Sequence, residues 1–491
     1  MKKEWILLLI TGVVCLSGCS AYEKGGYQSG NGPTVEVVTP TQTEAEGPTL
    51  SSKAELEETI APLEVETQEK NAWNPEIVIG SDIHYLAKEL TDFGTAFMDM
   101  VNRGDGKMPH YVWEITDAFL DQVIDKNPQA LILSGDLTLE GEYVSHEALA
   151  QRLKKVEDAG IPVYVIPGNH DINNSKAASF KGADKIPAMK TSPEDFVSIY
   201  EEFGYSEAIS RDPQSLSYMA ELQDGTRLLM LDSCQYEDGA VVGGMIRSET
   251  YDWLEQVLDE AWYEDCQVIA VAHHNLMDES RIYEEDCTIE HAEELEELLS
   301  GYGVQLFLSG HLHVQHYKTS EDYQMDEIVT TSLTTSPCLY GVLKYFDTDD
   351  FTYHTEKVDV SSWAMEKNNP DVNLQEFETY ADEFLQKVFY DEAYESLNGY
   401  ELSLEQKAEM AELYAILNVY AVAGKAYTIG QGAMEFPAYE WWQEYSRTDI
   451  LAMYLNEILE DAVCDYNVFT RPLQEPLDQE SLDQESLDQE S

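Results

Sequence analysis

Short apolar runs and helical apolar stripes alternate through the middle of this chain. Residues 76–79, 130–133, 163–166, 268–272 and 304–308 are runs of mostly aliphatic side chains without polar alternation, the pattern of strands buried on both faces. Between the runs, apolar residues recur at helical spacing, as in Val112, Ile115, Phe119 and Val123. This alternation predicts an α/β core. Two later runs, 328–333 and 351–358, have strand character with no helix between them, so the sheets should mix parallel and antiparallel strands. Farther on the spacing is helical throughout. Phe377, Tyr380, Phe384 and Val388 share one face, as do Leu413, Ile416, Leu417 and Tyr420, and then Leu451, Leu455 and Ile458. Trp441 and Trp442 read as core of this helical region.

The pattern divides the chain of 491 residues into a core domain over 73–364 and a helical domain over 365–472. Residues 20–72 are rich in Gly, Thr, Pro, Ser and Glu and hold few large apolar groups, too few to offset chain entropy. They read as a disordered linker, with one brief helical pattern at 54–60. Residues 473–491, which include three repeats of Leu-Asp-Gln-Glu-Ser, read as a low-complexity acidic tail. At the other end, Lys2 and Lys3 precede an apolar run over 5–16 that is too short to span a bilayer and suits a signal peptide over residues 1–19. Leu16-Ser17-Gly18-Cys19 resembles a bacterial lipobox. That resemblance implies cleavage before Cys19, a lipid on Cys19, and a protein tethered to the extracytoplasmic face of a bacterial membrane.

Composition narrows the partners. With 29 basic and 94 acidic side chains the formal net charge is −65, which repels polyanions, so no nucleic acid polymer is expected. A small anionic substrate is compatible with this charge where metal ions invert the local field. Cys234, Cys266, Cys287, Cys338 and Cys464 are scattered without a CxxC pair, which suggests neither a zinc knuckle nor a disulfide framework. Protein partners are left open by the sequence.

Five motifs carry the chemistry: Asp82-Ile83-His84, Gly135-Asp136, Gly168-Asn169-His170-Asp171, His273-His274 and Gly310-His311-Leu312-His313. Each lies at or just past the end of a predicted strand, where ligand sites of α/β sheets gather. Carboxylate, imidazole and amide oxygen suit Mn, Fe or Zn, and the lack of Cys among them argues against a purely structural zinc site. No P-loop, GxSxG or Rossmann fingerprint occurs in a usable context.

The order of these motifs resembles that of the calcineurin-like metallophosphoesterases over residues 76–314. With the lipobox and the helical extension, the chain looks most like bacterial class III cyclic-nucleotide phosphodiesterase-type lipoproteins. The resemblance implies an α/β fold of two packed mixed β-sheets flanked by helices, followed by a small all-helical domain. It implies two divalent metal ions: one held by Asp82, His84 and His313, the other by Asn169, His273 and His311, with Asp136 bridging both. The family usually has a proline after its histidine pair, whereas here the run is His273-His274-Asn275, so His274 stands as the alternative ligand to His273. His170 is expected to face the substrate as general acid, with a metal-bridged hydroxide as the attacking group. Asp171 either orients His170 or caps a turn. His316 either touches substrate or is a solvated loop residue, while His110, His146, His291 and His354 read as structural. The acidic run 290–299 reads as a solvated helix face.

The expected activity is hydrolysis of small phosphodiesters, with cyclic nucleotides leading. The alternatives are a phosphomonoesterase, an esterase for lipid head groups or wall polymers, and a catalytically inactive surface-binding protein. The export signal favours an envelope substrate, and the resemblance favours nucleotides.

Overall fold

The aliphatic runs become inner strands in the structure, a computed structural model that describes residues 75–471 apart from 283–285, 321 and 348–349. The signal peptide with Cys19, the linker with its 54–60 segment, and the acidic tail lie outside the described residues. In chain order the strands begin with β1 (Glu76–Gly80), β2 (Ala130–Leu133), β3 (Val163–Val165), β4 (Ala178–Lys181), β5 (Asp184–Pro187), β6 (Ser210–Arg211) and β7 (Tyr218–Glu221). They continue with β8 (Arg227–Met230), β9 (Val268–Val271), β10 (Leu306–Ser309), β11 (His316–Thr319), β12 (Asp326–Val329), β13 (Leu339–Asp347), β14 (Asp350–Lys357) and β15 (Val468–Arg471). One sheet has the order β15-β14-β13-β1-β2-β3, the second β11-β12-β10-β9-β8-β7-β6, and β4-β5 form a separate hairpin. Both sheets are mixed: β1, β2 and β3 are parallel while β13 pairs antiparallel with β1, and β8, β9, β10 and β12 are parallel between antiparallel edges.

Period-two alternation explains how the layers stack. Leu228, Met230, Ile269, Val271, Leu306 and Leu308 share a buried cluster with Ile77, Ile79, Leu131 and Val163 of the other sheet. Their neighbours Leu229, Ala270 and Phe307 belong to another cluster, with Trp253, Leu254 and Val257 of α5 (Ser248–Tyr263) and Leu295 and Leu299 of α6 (Ala292–Gly301). The stripe Val112, Ile115, Phe119 and Val123 is fully buried on α2 (Val112–Lys126), and α3 (Tyr143–Asp158) and α4 (Pro193–Ile199) add Leu149, Leu153 and Phe196 to the same cluster. The core is thus a pair of mixed sheets flanked by helices.

The helical region runs from α7 (Val360–Glu366) through α8 (Val372–Gln375), α9 (Phe377–Ser396), α10 (Leu404–Val422), α11 (Gly430–Ala433) and α12 (Pro437–Gln443) to α13 (Ile450–Asp461). The buried face of α9 is Phe377, Ala381, Leu385, Phe389 and Ala393, with Tyr380 and Phe384 only partly buried beside it. Past Phe377, the buried face is therefore rotated by one position from the expected one, and Tyr380 and Phe384 pack at its margin. Tyr420 is likewise exposed on α10, where Met410, Tyr414 and Leu417 form the contact. Trp442 is fully buried and donates Nε1–H to the Met410 carbonyl at 2.9 Å.

Two features have no counterpart in the periodicity. After the helices the chain returns to the first sheet, where β15 pairs with β14 and Arg471 is ion-paired with Asp326 of β12. The run 328–333 leaves the sheet after Val329, and Thr330, Thr331, Ser332, Thr334, Thr335 and Ser336 form a buried polar segment. Helices α9 and α8 brace the loop after α1 (Thr95–Asn102): Tyr380 Oη of α9 lies 2.7 Å from His110 Nε2, and Tyr111 donates to Asp371, the N-cap of α8, at 3.1 Å. Among the described residues no helix is long and apolar enough to cross a membrane.

Candidate metal centre

Each motif sits where a parallel strand ends and its chain must turn sharply. Five of the candidate ligands hold left-handed backbone angles: Asp82 (φ 53°), His84 (49°), Asp136 (48°), His311 (71°) and His313 (55°). Such angles cost non-glycine residues roughly 1–3 kcal/mol each and persist only where the surroundings impose them. Here a backbone ladder does so. The Asp82, His84 and Tyr85 amides donate to the carbonyls of Gly135, Asp136 and Leu137 at 3.1, 2.9 and 2.9 Å, and the Gly310 amide to His273 at 3.0 Å. The glycines allow the approach: a Cβ on Gly168 would lie 2.1 Å from the Asp136 amide nitrogen, and one on Gly310 1.9 Å from Ser81 Oγ.

The polar segment after β12 closes the underside. Ser332 Oγ donates to the Asp82 carbonyl at 2.8 Å, and Thr331 Oγ1 to the His313 carbonyl at 2.6 Å. Asp171 accepts four hydrogen bonds, from the amides of Gly168, Leu137 and Thr138 and from Thr138 Oγ1, between 2.8 and 3.0 Å. It therefore clamps the β2 and β3 loops together and makes no bond to the His170 ring. Burial, followed by the Asp136 carboxylate, pushes its pKa up to about 6 against those donors.

The ligand atoms converge on common points rather than on one another. His84 Nε2 and His313 Nε2 lie 3.0 Å apart. Asp82 Oδ1 is 3.2 Å from His313 Nε2, yet it is fully buried with no aligned hydrogen-bond donor. Opposite them, His273 Nε2 is 3.1 Å from Asn169 Oδ1. Asp136 stands between the groups. Its Oδ1 takes the His170 amide at 2.8 Å, while Oδ2 lies 3.7 Å from His84 Nε2 and 3.5 Å from His273 Nε2. Asp82, His84 and His313 form one compact ligand set, and Asp82, Asp136 and His273 another that joins the two sides. An orphaned carboxylate oxygen facing paired imidazole nitrogens, all buried, fits divalent cations.

Backbone carbonyls, which only accept, fix the histidine tautomers. His273 Nδ1–H donates to the Ser134 carbonyl at 2.9 Å, which leaves Nε2 for a cation. His311 Nε2–H donates to the Asp286 carbonyl at 2.9 Å, which leaves Nδ1. His274 lies within ligand range of His273 and His311, but both its ring nitrogens are engaged, Nε2 with the Val242 carbonyl and Nδ1 with Ser233 Oγ, each at 2.8 Å. Of the two neighbouring histidines, His273 is the one aimed at Asp136. Burial holds the His84 and His274 imidazoles well below their ordinary pKa and puts His311 at about 4, so these rings are neutral. Burial would also lower His273, but Asp136 outweighs it and holds the ring at about 9. The same partnership keeps Asp136 well below the usual carboxylate range despite its burial.

His170 Nε2 faces Asp136 Oδ2 at 3.9 Å. On its far side Nδ1 lies 2.9 Å from the Leu139 carbonyl and 3.2 Å from Glu140 Oε2. Asn174 Nδ2 donates to the same Glu140 oxygen at 2.8 Å. Burial opposes ionisation of Glu140, but His170 outweighs it and holds the carboxyl at about 2. Glu140 is the residue that sequence reasoning missed, because no spacing rule links it to a histidine thirty positions on.

The remaining histidines fall elsewhere. His146 is buried between Tyr200 Oη, Thr138 Oγ1 and the Asp171 carbonyl. His316 lines a separate cavity of about 320 Å³ shared by Leu312, Val314, Tyr454 and Tyr466, and is ion-paired with Glu279 at 2.6 Å and Asp461 at 3.1 Å.

Residues 76–315 match the family described as calcineurin-like phosphoesterase, and residues 359–465 match the C-terminal domain of cyclic nucleotide phosphodiesterase. A probable cyclic nucleotide phosphodiesterase of Synechococcus sp. is 27% identical over 198 residues, 38% of this chain and 61% of that protein. One from Vesicomyosocius okutanii is 41% identical over 54 residues, 11% of this chain and 22% of that protein. This chain thus spans less than two thirds of either relative's length. A solved dimetal phosphatase from Danio rerio aligns at TM-score 0.41 and 13% identity, covering 58% of this chain and 96% of that one.

Proposed function

We infer that this chain, which belongs to the calcineurin-like phosphoesterases over residues 76–315, hydrolyses phosphodiester bonds and takes cyclic nucleotides as substrates. The observation that carries the reaction type is Asp136 Oδ2, set between His84 and His273 with His170 facing the same oxygen. Asp82, His84, His313 and Asp136 would hold one divalent cation, and Asn169, His273, His311 and Asp136 a second, with Mn, Fe or Zn suited to this donor set. Bound there, the cations supply Lewis-acid charge to phosphoryl oxygens and lower the pKa of water.

The chain's own residues position and move protons. Leu139 and Glu140 hold His170 by Nδ1, so a proton on Nε2 points into the site and is the one given to the leaving oxygen. Asp82, Asp136 and His273 are buried, so little solvent screens the charges among them.

The match of residues 359–465 and the names of the two relatives support cyclic nucleotides. The lipobox at Cys19 supports a lipid-anchored protein outside the cytoplasm, and with it the second reading, an envelope phosphodiester. The test uses the protein beginning after Cys19, loaded with Mn, on bis-(p-nitrophenyl) phosphate and p-nitrophenyl phosphate. Diester cleavage is expected to fall by about 10³-fold or more in Asp136→Ala, with fewer than two metals retained per chain. Cleavage of the monoester alone overturns the diester reading. Turnover of lipid or wall diesters but not of cyclic nucleotides replaces the substrate.

A further inference from the structure

A cavity of about 320 Å³ lies between the core and the helical domain, large enough for a small ligand. Leu312, Val314 and Val329 line it from the core, and Ala426, Tyr454 and Ile458 from the helical domain. Such apolar walls supply most of the contact area of an organic ligand. None of the candidate metal ligands lines the cavity, although Leu312 sits between His311 and His313. Backbone bonds fix the two halves to one another. The Gln315 amide donates to the Val422 carbonyl and the Tyr466 amide to the Gly424 carbonyl, each at 3.0 Å.

The charges around the cavity are not balanced: five carboxylates line it against Arg281, His316 and Lys318. Three of the carboxylates have donors of their own. Asp278 accepts from Thr288 Oγ1 at 2.8 Å, Glu457 from Ser280 Oγ and from the Arg281 amide, each at 2.6 Å, and Glu460 from the Arg281 guanidinium. The other two share His316. Its ring lies against Tyr466, centroids 3.9 Å apart, with Nδ1 2.6 Å from Glu279 Oε2 and Nε2 3.1 Å from Asp461 Oδ2. Tyr466 Oη donates to Asp461 Oδ1 at 2.9 Å. Burial would lower the His316 pKa, but Glu279 and Asp461 outweigh it and raise it to about 10, so the ring is a cation. An imidazolium has two N–H groups, and both face carboxylates here. Glu279 Oε1 is left buried without a donor, on a side chain only 7% exposed. Two carboxylates around one cation leave a net negative charge, which burial makes costly.

We propose that this cavity binds a small molecule with a protonated amine on an apolar body, the ammonium donating to Glu279 Oε1 and the body lying against Leu312, Tyr454 and Ile458. A hydroxyl supplies a donor without the charge, and an anion meets an excess of carboxylates. The site is separate from the metal centre and does not rest on the phosphoesterase reading.

The experiment titrates 2-phenylethylamine near neutral pH into the metal-loaded chain beginning after Cys19, by calorimetry, with 2-phenylethanol as the uncharged counterpart. Wild type should bind the amine saturably at one site per chain and about 10-fold or more tighter than the alcohol, the margin of one charge-assisted hydrogen bond. Glu279→Gln keeps the side-chain volume and removes the charge. It should weaken the amine by about 10- to 100-fold and the alcohol by no more than about 3-fold. Ile458→Trp fills the cavity from the helical side and should weaken both ligands by about 10-fold or more. In a chain of net charge −65 the competing explanation is loose attraction of any cation to the surface, which would not saturate and would be the same in all three proteins. Amine affinity unchanged in Glu279→Gln, or an amine bound no tighter than the alcohol, overturns the proposal. So does full affinity in an Ile458→Trp protein shown by melting to be folded. If Glu279→Gln does not fold, the amine-to-alcohol ratio and Ile458→Trp decide by themselves.

Discussion

Replacing Glu140 by Gln keeps the side-chain volume and an acceptor for Asn174 but removes the charge 3.2 Å from His170 Nδ1. At an effective dielectric of about 20, Coulomb's law gives roughly 5 kcal/mol for such a pair. The net value is smaller, because the Leu139 carbonyl at 2.9 Å shares the same N–H and the Glu140 side chain is 20% exposed. About 1.5–3 kcal/mol is a realistic figure for a charge-assisted bond, equivalent to about one to two pKa units. A carboxylate favours the imidazolium, so its removal lowers the His170 pKa. The alkaline limb of the kcat–pH profile, where the general acid loses its proton, should then move down by about one to two pH units in Glu140→Gln. The loss depends on how much the leaving group needs a proton. At pH 8 a cyclic nucleotide, with its alkoxide leaving group, should turn over about 10- to 100-fold more slowly, and bis-(p-nitrophenyl) phosphate no more than about 3-fold more slowly. Metal content should not change. An unmoved alkaline limb, or equal losses on both substrates, would falsify the assignment of Glu140 as the residue that positions and charges His170.

Two further predictions concern buried charges outside the reaction. Burial, and then Glu140, push Glu142 from 4.5 up to about 7, so between those pH values the folded state holds a proton that the unfolded state has lost. Stability therefore falls as pH rises from 4.5 to 7, by up to about 3 kcal/mol, and calorimetric melts of Glu142→Gln at saturating metal should lack that fall and give a higher Tm at pH 8. His316 is the opposite case: burial would lower it, but Glu279 and Asp461 raise it from 6.5 to about 10, so its stabilisation is complete below pH 6.5 and is lost as pH rises through 10. His316→Gln leaves the Glu279 side chain, 7% exposed, without its cation. It should destabilise by roughly 2–4 kcal/mol at pH 6 and much less above pH 10, with diester turnover unchanged; a large loss of turnover with stability intact would place His316 in the reaction.

The sequence by itself determined the donor types, their order and their placement at strand ends. These are local properties. Aliphatic runs of four or five residues specify buried strands, and a glycine beside Asp, Asn or His marks a turn whose backbone must come close to its neighbours, as Gly168 does to Asp136. Tertiary structure decided what depends on contacts between distant segments. The resemblance prefers His273 to its neighbour His274, and the Ser134 and Val242 carbonyls, 139 and 32 residues away, are what turn the first ring and not the second toward Asp136. Glu140 meets His170 and Thr334 supports Asp82 because sheet order brings their loops to one edge. The same holds for β15, whose pairing with β14 is written in no periodicity, and for residues 330–336, whose threonines and serines look like strand or loop until the loop they support is in place. Periodicity reports the environment of a residue through its nearest neighbours along the chain. A metal centre is assembled from groups up to 231 positions apart, Asp82 to His313, and those meet only when the two sheets have closed on one another.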